Sequence, residues 1–282
     1  MNYLLLIAVV ILLAGQNFIA KQYNIKAKAF NIWMFSGMTT LGALIFFLLN
    51  AKFQVSLVWE VLPFSIGFAL FYGSATVGSV LAVRKGMFSL STLVSSYSLI
   101  IPTLYGIIFL NDPIGWTGYI GILLLMASIY LLNKKDEEVK FSVAWLIWVA
   151  VGFIGNGFCS TVQKMQQLHF DGGYKNELMI YSLAMLTVFF MVMGIVTGKE
   201  LGKEAKATAL YGLPKGLANG VVNLLVMVLQ GVLPTALLFP MISAGGIVIA
   251  FLLAVFLYRE HLTKPQLVGY AIGTVSVILL NL

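Results

Sequence analysis

Ten stretches of roughly twenty mostly apolar residues follow one another with only short gaps, and no other feature restricts the fold so strongly. They lie near 3–21, 31–49, 58–83, 88–110, 114–132, 141–163, 178–197, 207–230, 233–257 and 264–281. A helix that crosses a bilayer needs ~20 such residues, because each backbone N–H and C=O must be satisfied within the helix once water is gone. The runs are apolar on all sides and too long for the ~10-residue alternating strands of a membrane β-barrel. Only 10% of the 282 residues are charged, against roughly 25% in a soluble domain, and the mean hydropathy is +0.98. The expected fold is an all-α integral membrane protein with ten transmembrane helices. The longest polar gap, near 164–177, leaves no room for a soluble domain.

The net charge of +7 is not gathered into a basic tail or an Arg-rich segment. Lys and Arg sit in the gaps between apolar runs, where they act as topology signals; no nucleic-acid partner is expected. Cys159 is the single cysteine, so no disulfide forms within the chain. The opening "MNYLLLIAVVILLAG" lacks a basic n-region and is followed by "GQNFIAKQ" instead of a small-residue cleavage site, so it is read as a retained helix.

The most charged stretch, "NKKDEEVK" (Asn133–Lys140), lies near the middle, with five runs before it and five after. A shift of 148 places Asp112 on Glu260, Ile114 on Leu262, Gly121 on Gly269, Ser128 on Ser276 and Asn133 on Asn281. "GQNFIAKQ" (15–22) also matches "GNGFCSTVQK" (155–164) loosely. An odd number of helices per half inserts the halves with opposite orientation. The expected architecture is therefore a 5+5 inverted repeat, common among secondary transporters: residues 1–133, a charged connecting loop at 134–140, and residues 141–282.

Three of these patches resemble the EamA-type members of the drug/metabolite transporter superfamily. "AVFLYREHLTKPQLVGYAIGTVSVILL" carries Glu260, Leu262, Thr263, Gln266 and Gly269 at the places of that family's ninth- and tenth-helix pattern, with His261 where Arg is usual. "IIFLNDPIGWTGYIGILLLMASIYLL" is a weaker copy with Asp112 for Glu, and "GQNFIAK" is similar to the first-helix signature. The resemblance implies a ten-helix carrier of small organic solutes in the bacterial inner (plasma) membrane. It does not imply a particular solute.

Loops after odd-numbered helices hold Lys21, Lys26, Lys28, Arg84, Lys85, Lys134, Lys135, Lys140, Lys199, Lys203, Lys206, Lys215, Arg259 and Lys264, leaving Lys52, Lys164 and Lys175 for the other side. Short basic loops stay cytoplasmic, so both termini are expected outside. The family resemblance implies both inside, and the charge count is followed here.

Ionisable groups inside membrane helices mark function by default. Glu60, Asp112, Glu177 and Glu260 all sit at helix ends, which leaves proton coupling without a carboxylate carrier. Lys215, about eight residues into the eighth run, either snorkels back to the interface or serves as counter-charge to an anionic solute. The other candidates are mid-helix polar and aromatic groups: Ser95, Ser96 and Tyr97 in the fourth run, Ser243 in the ninth, Asn219 and Asn223 four apart on one face of the eighth, Asn17 and Asn156 at matching places, and Tyr72. They are expected to line a central cavity at the repeat interface. Each also has a plainer use in holding helices together, as do the close-packing Gly269–Gly273 pair and Gly115, Gly118 and Gly121.

His169 with Asp171, and His261 with Glu260, lack the further ligands of a metal site. Neither H-E-x-x-H nor G-x-S-x-G occurs. No catalytic residue, metal or cofactor is expected. Alternating access for a metabolite, amino-acid-like or drug-like solute, with a preference for export, is the reading that follows. The alternatives are an exchanger of anionic or nucleotide-sugar-like solutes and a non-transporting scaffold subunit. The expected partners are the solute and the lipid bilayer, with a second copy of the chain as a candidate.

Overall fold

The computed structural model describes residues 2–26, 31–85, 98–112, 115–132, 142–198, 201–252 and 264–280. Among them are ten α-helices and no strand: α1 (Asn2–Lys26), α2 (Ile32–Asn50), α3 (Leu62–Lys85, after a 3-10 turn at Trp59–Val61), α4 (Ile100–Phe109), α5 (Trp116–Leu132), α6 (Val143–His169), α7 (Lys175–Thr197), α8 (Leu201–Gln230), α9 (Thr235–Leu252) and α10 (Lys264–Leu280). Stretches in α1, α2, α3, α6, α7 and α8 are long and apolar enough to cross a membrane, which is compatible with a multi-pass membrane protein. Their outward faces are apolar too. Leu4, Ile7 and Ile11 of α1 and Val188, Val192 and Val196 of α7 are exposed, a surface that water would penalise and lipid would not.

Several boundaries differ from the sequence expectation, α1 running on to Lys26 and α4 beginning only at Ile100 after a turn at 98–99, and two differences bear on polar residues. α6 runs on to His169, because Gln163, Lys164, Gln166 and Gln167 are buried side chains instead of a solvated loop. It ends where Asp171 and Gly172 take left-handed φ values of 48° and 78° and the Gly172 N–H donates to the Gln167 carbonyl at 2.8 Å. α8 begins earlier, at Leu201, so Lys215 lies well inside it.

The chain forms two compact units, Met1–Gly73 with Val162–Gly231, and Ser74–Thr161 with Val232–Leu282. They differ from the sequence halves 1–133 and 141–282, since each draws helices from both. The chain passes between units inside α3 and inside α6.

In the first unit α2 packs along α7 and α8, and α1 along α8. Glycines permit the contact between α2 and α8: a Cβ on Gly42 would stand 2.5 Å from the Leu213 carbonyl oxygen, and one on Gly216 would run into the Thr39 carbonyl. Gly212 and Gly220 continue this face one turn away on either side. Asn31 ties α2 to α7 as well. Its Oδ1 caps α2 by accepting from the Met34 N–H at 3.1 Å, and its Nδ2 donates to the Gly194 carbonyl at 3.0 Å.

In the second unit α5 packs on α10, and α9 on α4 and α10. Two hydrogen bonds join α5 to α10: Ser128 Oγ donates to the Gly269 carbonyl at 2.6 Å, and Ser276 Oγ donates to the Gly121 carbonyl at 2.8 Å. The serines stand 148 residues apart, and so do the glycines. These are the residues matched in the sequence comparison of the two halves. Asp112 Oδ2 accepts from the Ala236 N–H at 2.9 Å and so caps the start of α9. Glu260, which the sequence comparison matches to Asp112, lies outside the described residues, as do Arg259 and His261.

Candidate functional site

Hydropathy hides polar groups that a helix turns inward, and the first unit holds a connected set of them. Asn219 of α8 is the pivot. Its Oδ1 accepts from the Tyr72 hydroxyl of α3 at 2.9 Å and from Asn223 Nδ2 at 3.0 Å, while its Nδ2 donates to Gln16 Oε1 of α1 at 3.1 Å. Asn223 Oδ1 accepts in turn from Gln163 Nε2 of α6 at 2.9 Å. The result is a ladder of carboxamides and one phenol that joins α1, α3, α6 and α8. Phe68 stacks on Tyr72 with ring centroids 5.4 Å apart and fixes the phenol's direction.

Hydrogen bonds between helices in a bilayer contribute about 0.6 kcal/mol each on average and at most ~1.7. A buried polar atom left without a partner costs about 1–3 kcal/mol. The second term therefore decides what the site is for. Gln16 Nε2 is buried in the ladder and has no protein partner. Near the end of α8, Gln230 is 1% exposed, with neither Oε1 nor Nε2 partnered by protein. Lys164 Nζ donates to the Gln230 carbonyl at 2.7 Å. Gln167 contributes another buried, unpartnered Oε1, although its Nε2 donates to Gln166 Oε1.

The sequence-expected residues fall into four groups. Tyr72, Asn219 and Asn223 meet in the ladder. Lys215 is in the same unit but elsewhere: its Nζ lies 5.5 Å from the centroid of the Phe35 ring, which stacks on Tyr23 at 4.1 Å. Phe35 is one turn from the start of α2, so this contact suits a lysine reaching toward the interface. Asn156 and Ser243 belong to the second unit, where Asn156 Nδ2 donates to Ser98 Oγ at 2.6 Å and Ser243 is buried in α9. Ser95, Ser96 and Tyr97 lie outside the described residues, as does the side chain of Asn17. Sequence reasoning missed Gln16, Gln163, Lys164 and Gln230. The available signal was the amide-rich "VQKMQQ" at 162–167, whose Gln163, Gln166 and Gln167 recur at helical spacing.

His169 packs among aromatic rings, tilted against Phe64 at 5.5 Å and edge-on to Phe170 at 4.7 Å. Among the described residues no three His, Cys, Asp or Glu side chains gather where a metal could be held.

No family model matches the sequence, and no curated protein matches it. One of 28 matching solved chains, described only as the crystal structure of a protein, superposes with a TM-score of 0.74 at 14% identity, covering 100% of this chain and 98% of its own. At that identity the likeness establishes a shared fold and nothing about activity.

Proposed function

We propose that this chain is a secondary transporter of small polar solutes that works by alternating access and holds its solute at the Asn219 ladder. One observation carries the reading: a hydrogen-bonded row of carboxamides spans four apolar helices and includes a buried amide nitrogen, Gln16 Nε2, with no protein partner. Simple helix adhesion accounts for the bonded members but leaves that donor unexplained.

The inverted repeat expected from the sequence is part of the proposal. Its support is the reciprocal pair of bonds between α5 and α10. Two more contacts, Thr40 with Thr187 and Tyr72 with Asn219, join residues 147 apart, one short of the shift that matches the two halves. The EamA-type resemblance supports the same reading. The bacterial inner membrane is the proposed location, with both termini outside. Burial of Lys164 within α6 removes it from the loops and leaves Lys52 and Lys175 against the basic residues of the other side, which strengthens the charge bias.

A thermal-shift screen of purified protein against a metabolite library tests the site. At least one solute is expected to raise the unfolding temperature of the wild type and to lose that effect in Asn219→Leu. A hit that persists unchanged in Asn219→Leu would remove the ladder from the binding site.

A further inference from the structure

We propose that the segment joining α2 to α3 is a lipid-inserting strap, with Phe53, Val55, Leu57 and Trp59 seated in the interfacial layer of the bilayer. This surface is separate from the Asn219 ladder and does not depend on the transporter reading.

One apolar span runs from Ile32 to Asn50, the next begins at Trp59, and another begins at Lys175 in α7. The 19 residues of α2 rise ~28 Å, close to the ~30 Å of a hydrocarbon core, so Asn50 emerges at one boundary of the membrane. Only residues 51–58 separate it from Trp59, and α3 therefore starts at that same boundary. Asn50 Nδ2 donates to Asn176 Oδ1 at 2.8 Å, which brings the first turn of α7 to this level too. Tyr181 of α7 then pins the strap: its hydroxyl accepts from the Val58 N–H at 3.1 Å and donates to the Ser56 carbonyl. The strap is held at the ends of three apolar spans.

Apolar residues recur at every second position from Phe53 to Trp59, the spacing that gathers side chains on one side of an extended chain, and Val58 is extended at φ −115° and ψ 103°. The protein does not cover them: Phe53 is 68% exposed, Leu57 71% and Trp59 67%. The backbone is strained in presenting them. Lys52 and Phe53 stand one after the other in the left-handed region, at φ 52° and 58°, which residues with a Cβ rarely adopt. Such strain persists where the surroundings offset it. The Phe53 N–H donates to the Leu48 carbonyl at 2.8 Å, which accounts for the turn but not for a phenyl ring facing water. Lipid against the ring accounts for it. Exposed Ile45 and Leu49 of α2 and Ile66 and Leu70 of α3 lead up to the strap from either side, so it continues a surface already suited to acyl chains. Aromatic rings concentrate at the membrane interface, and exposed Lys52 and Glu60, near the two ends of the strap, reach the headgroups. The position at the ends of three spans selects lipid over a soluble partner or a second copy of the chain.

The test uses the full chain in liposomes, with a nitroxide attached at Leu57→Cys or at Gln54→Cys in a Cys159→Ala background. Collision with dissolved oxygen and with a water-soluble nickel chelate gives the depth of each label. The Leu57 label is expected about 5–10 Å into the boundary between headgroups and acyl chains, and the Gln54 label in the aqueous layer. Independently, Trp59 is made the only tryptophan by Trp33→Phe, Trp116→Phe, Trp145→Phe and Trp148→Phe. Its emission should then be quenched strongly by lipids brominated high on the acyl chain and weakly by iodide in the water. Should that fourfold variant fail to fold, the label depths decide alone, because Gln54 and Leu57 are both exposed. A Leu57 label as open to the nickel chelate as the Gln54 label overturns the proposal, and so does a Trp59 quenched by iodide and not by brominated lipid. Dipolar broadening between Leu57 labels that neither oxygen nor chelate reaches would assign the strip to a second copy of the chain and overturns it as well. Each of these results leaves the Asn219 ladder untouched.

Discussion

Asn219 concentrates the chemistry of the ladder in one side chain: its oxygen accepts twice and its nitrogen reaches a third helix. Tyr72→Phe removes one of the two donors to that oxygen and leaves Asn223 in place. It is expected to lower stability by about 0.6 kcal/mol, the average for such a bond, as measured by unfolding in mixed micelles. Asn219→Leu removes all three side-chain bonds of the pivot at once and is expected to cost several times more, about 2–4 kcal/mol. Equal costs for the two would mean that the ladder is not connected through Asn219. The spacing of four between Asn219 and Asn223 is visible in the sequence, and their shared face follows from it. Gln16, Gln163 and Lys164 were not legible. They fall toward the ends of their apolar runs, where a polar residue reads as the start of a loop, and only packing against α8 shows that the helix continues.

At the scale of elements, glycine and serine set how closely helices approach. Gly216→Ala pushes a methyl group into the Thr39 carbonyl of α2 and is expected to destabilise the protein by about 1–3 kcal/mol. Gly15→Ala meets nothing within 4 Å and is expected to stay within about ±0.5 kcal/mol, the range of surface changes. A comparable cost for both would show that the tight α2–α8 approach contributes nothing. Ser128→Ala and Ser276→Ala remove bonds that mirror each other, so they are expected to lower stability by similar amounts, about 0.6–1.7 kcal/mol each. Markedly unequal effects would argue against a two-fold relation of α5 and α10. The pairing of α5 with α10 is legible in the sequence because Ser128, Ser276, Gly121 and Gly269 keep their spacing. The glycine face of α8 escaped notice because Gly212, Gly216 and Gly220 sit amid polar residues that draw attention away from packing.

For the whole molecule, the ten helices among the described residues were legible because each apolar run marks one segment that buries or shields its backbone as a helix. Which helices pack into which compact unit was not, because hydropathy carries no information about partners. α3 and α6 each contribute to both units, and nothing in their sequence marks the crossing points at Gly73 and Thr161. The charge bias predicts a C-terminal reporter on the outer face of the membrane; a cytoplasmic reporter would contradict that topology. The central claim is that the ladder binds a transported solute. It is tested most directly by uptake of a defined metabolite mixture into proteoliposomes, with the lumen analysed by mass spectrometry for the wild type and for Asn219→Leu. The account predicts that at least one polar solute accumulates with the wild type and falls at least about tenfold in a folded Asn219→Leu protein. Accumulation of no solute, or of the same solutes to the same level with both proteins, would contradict it.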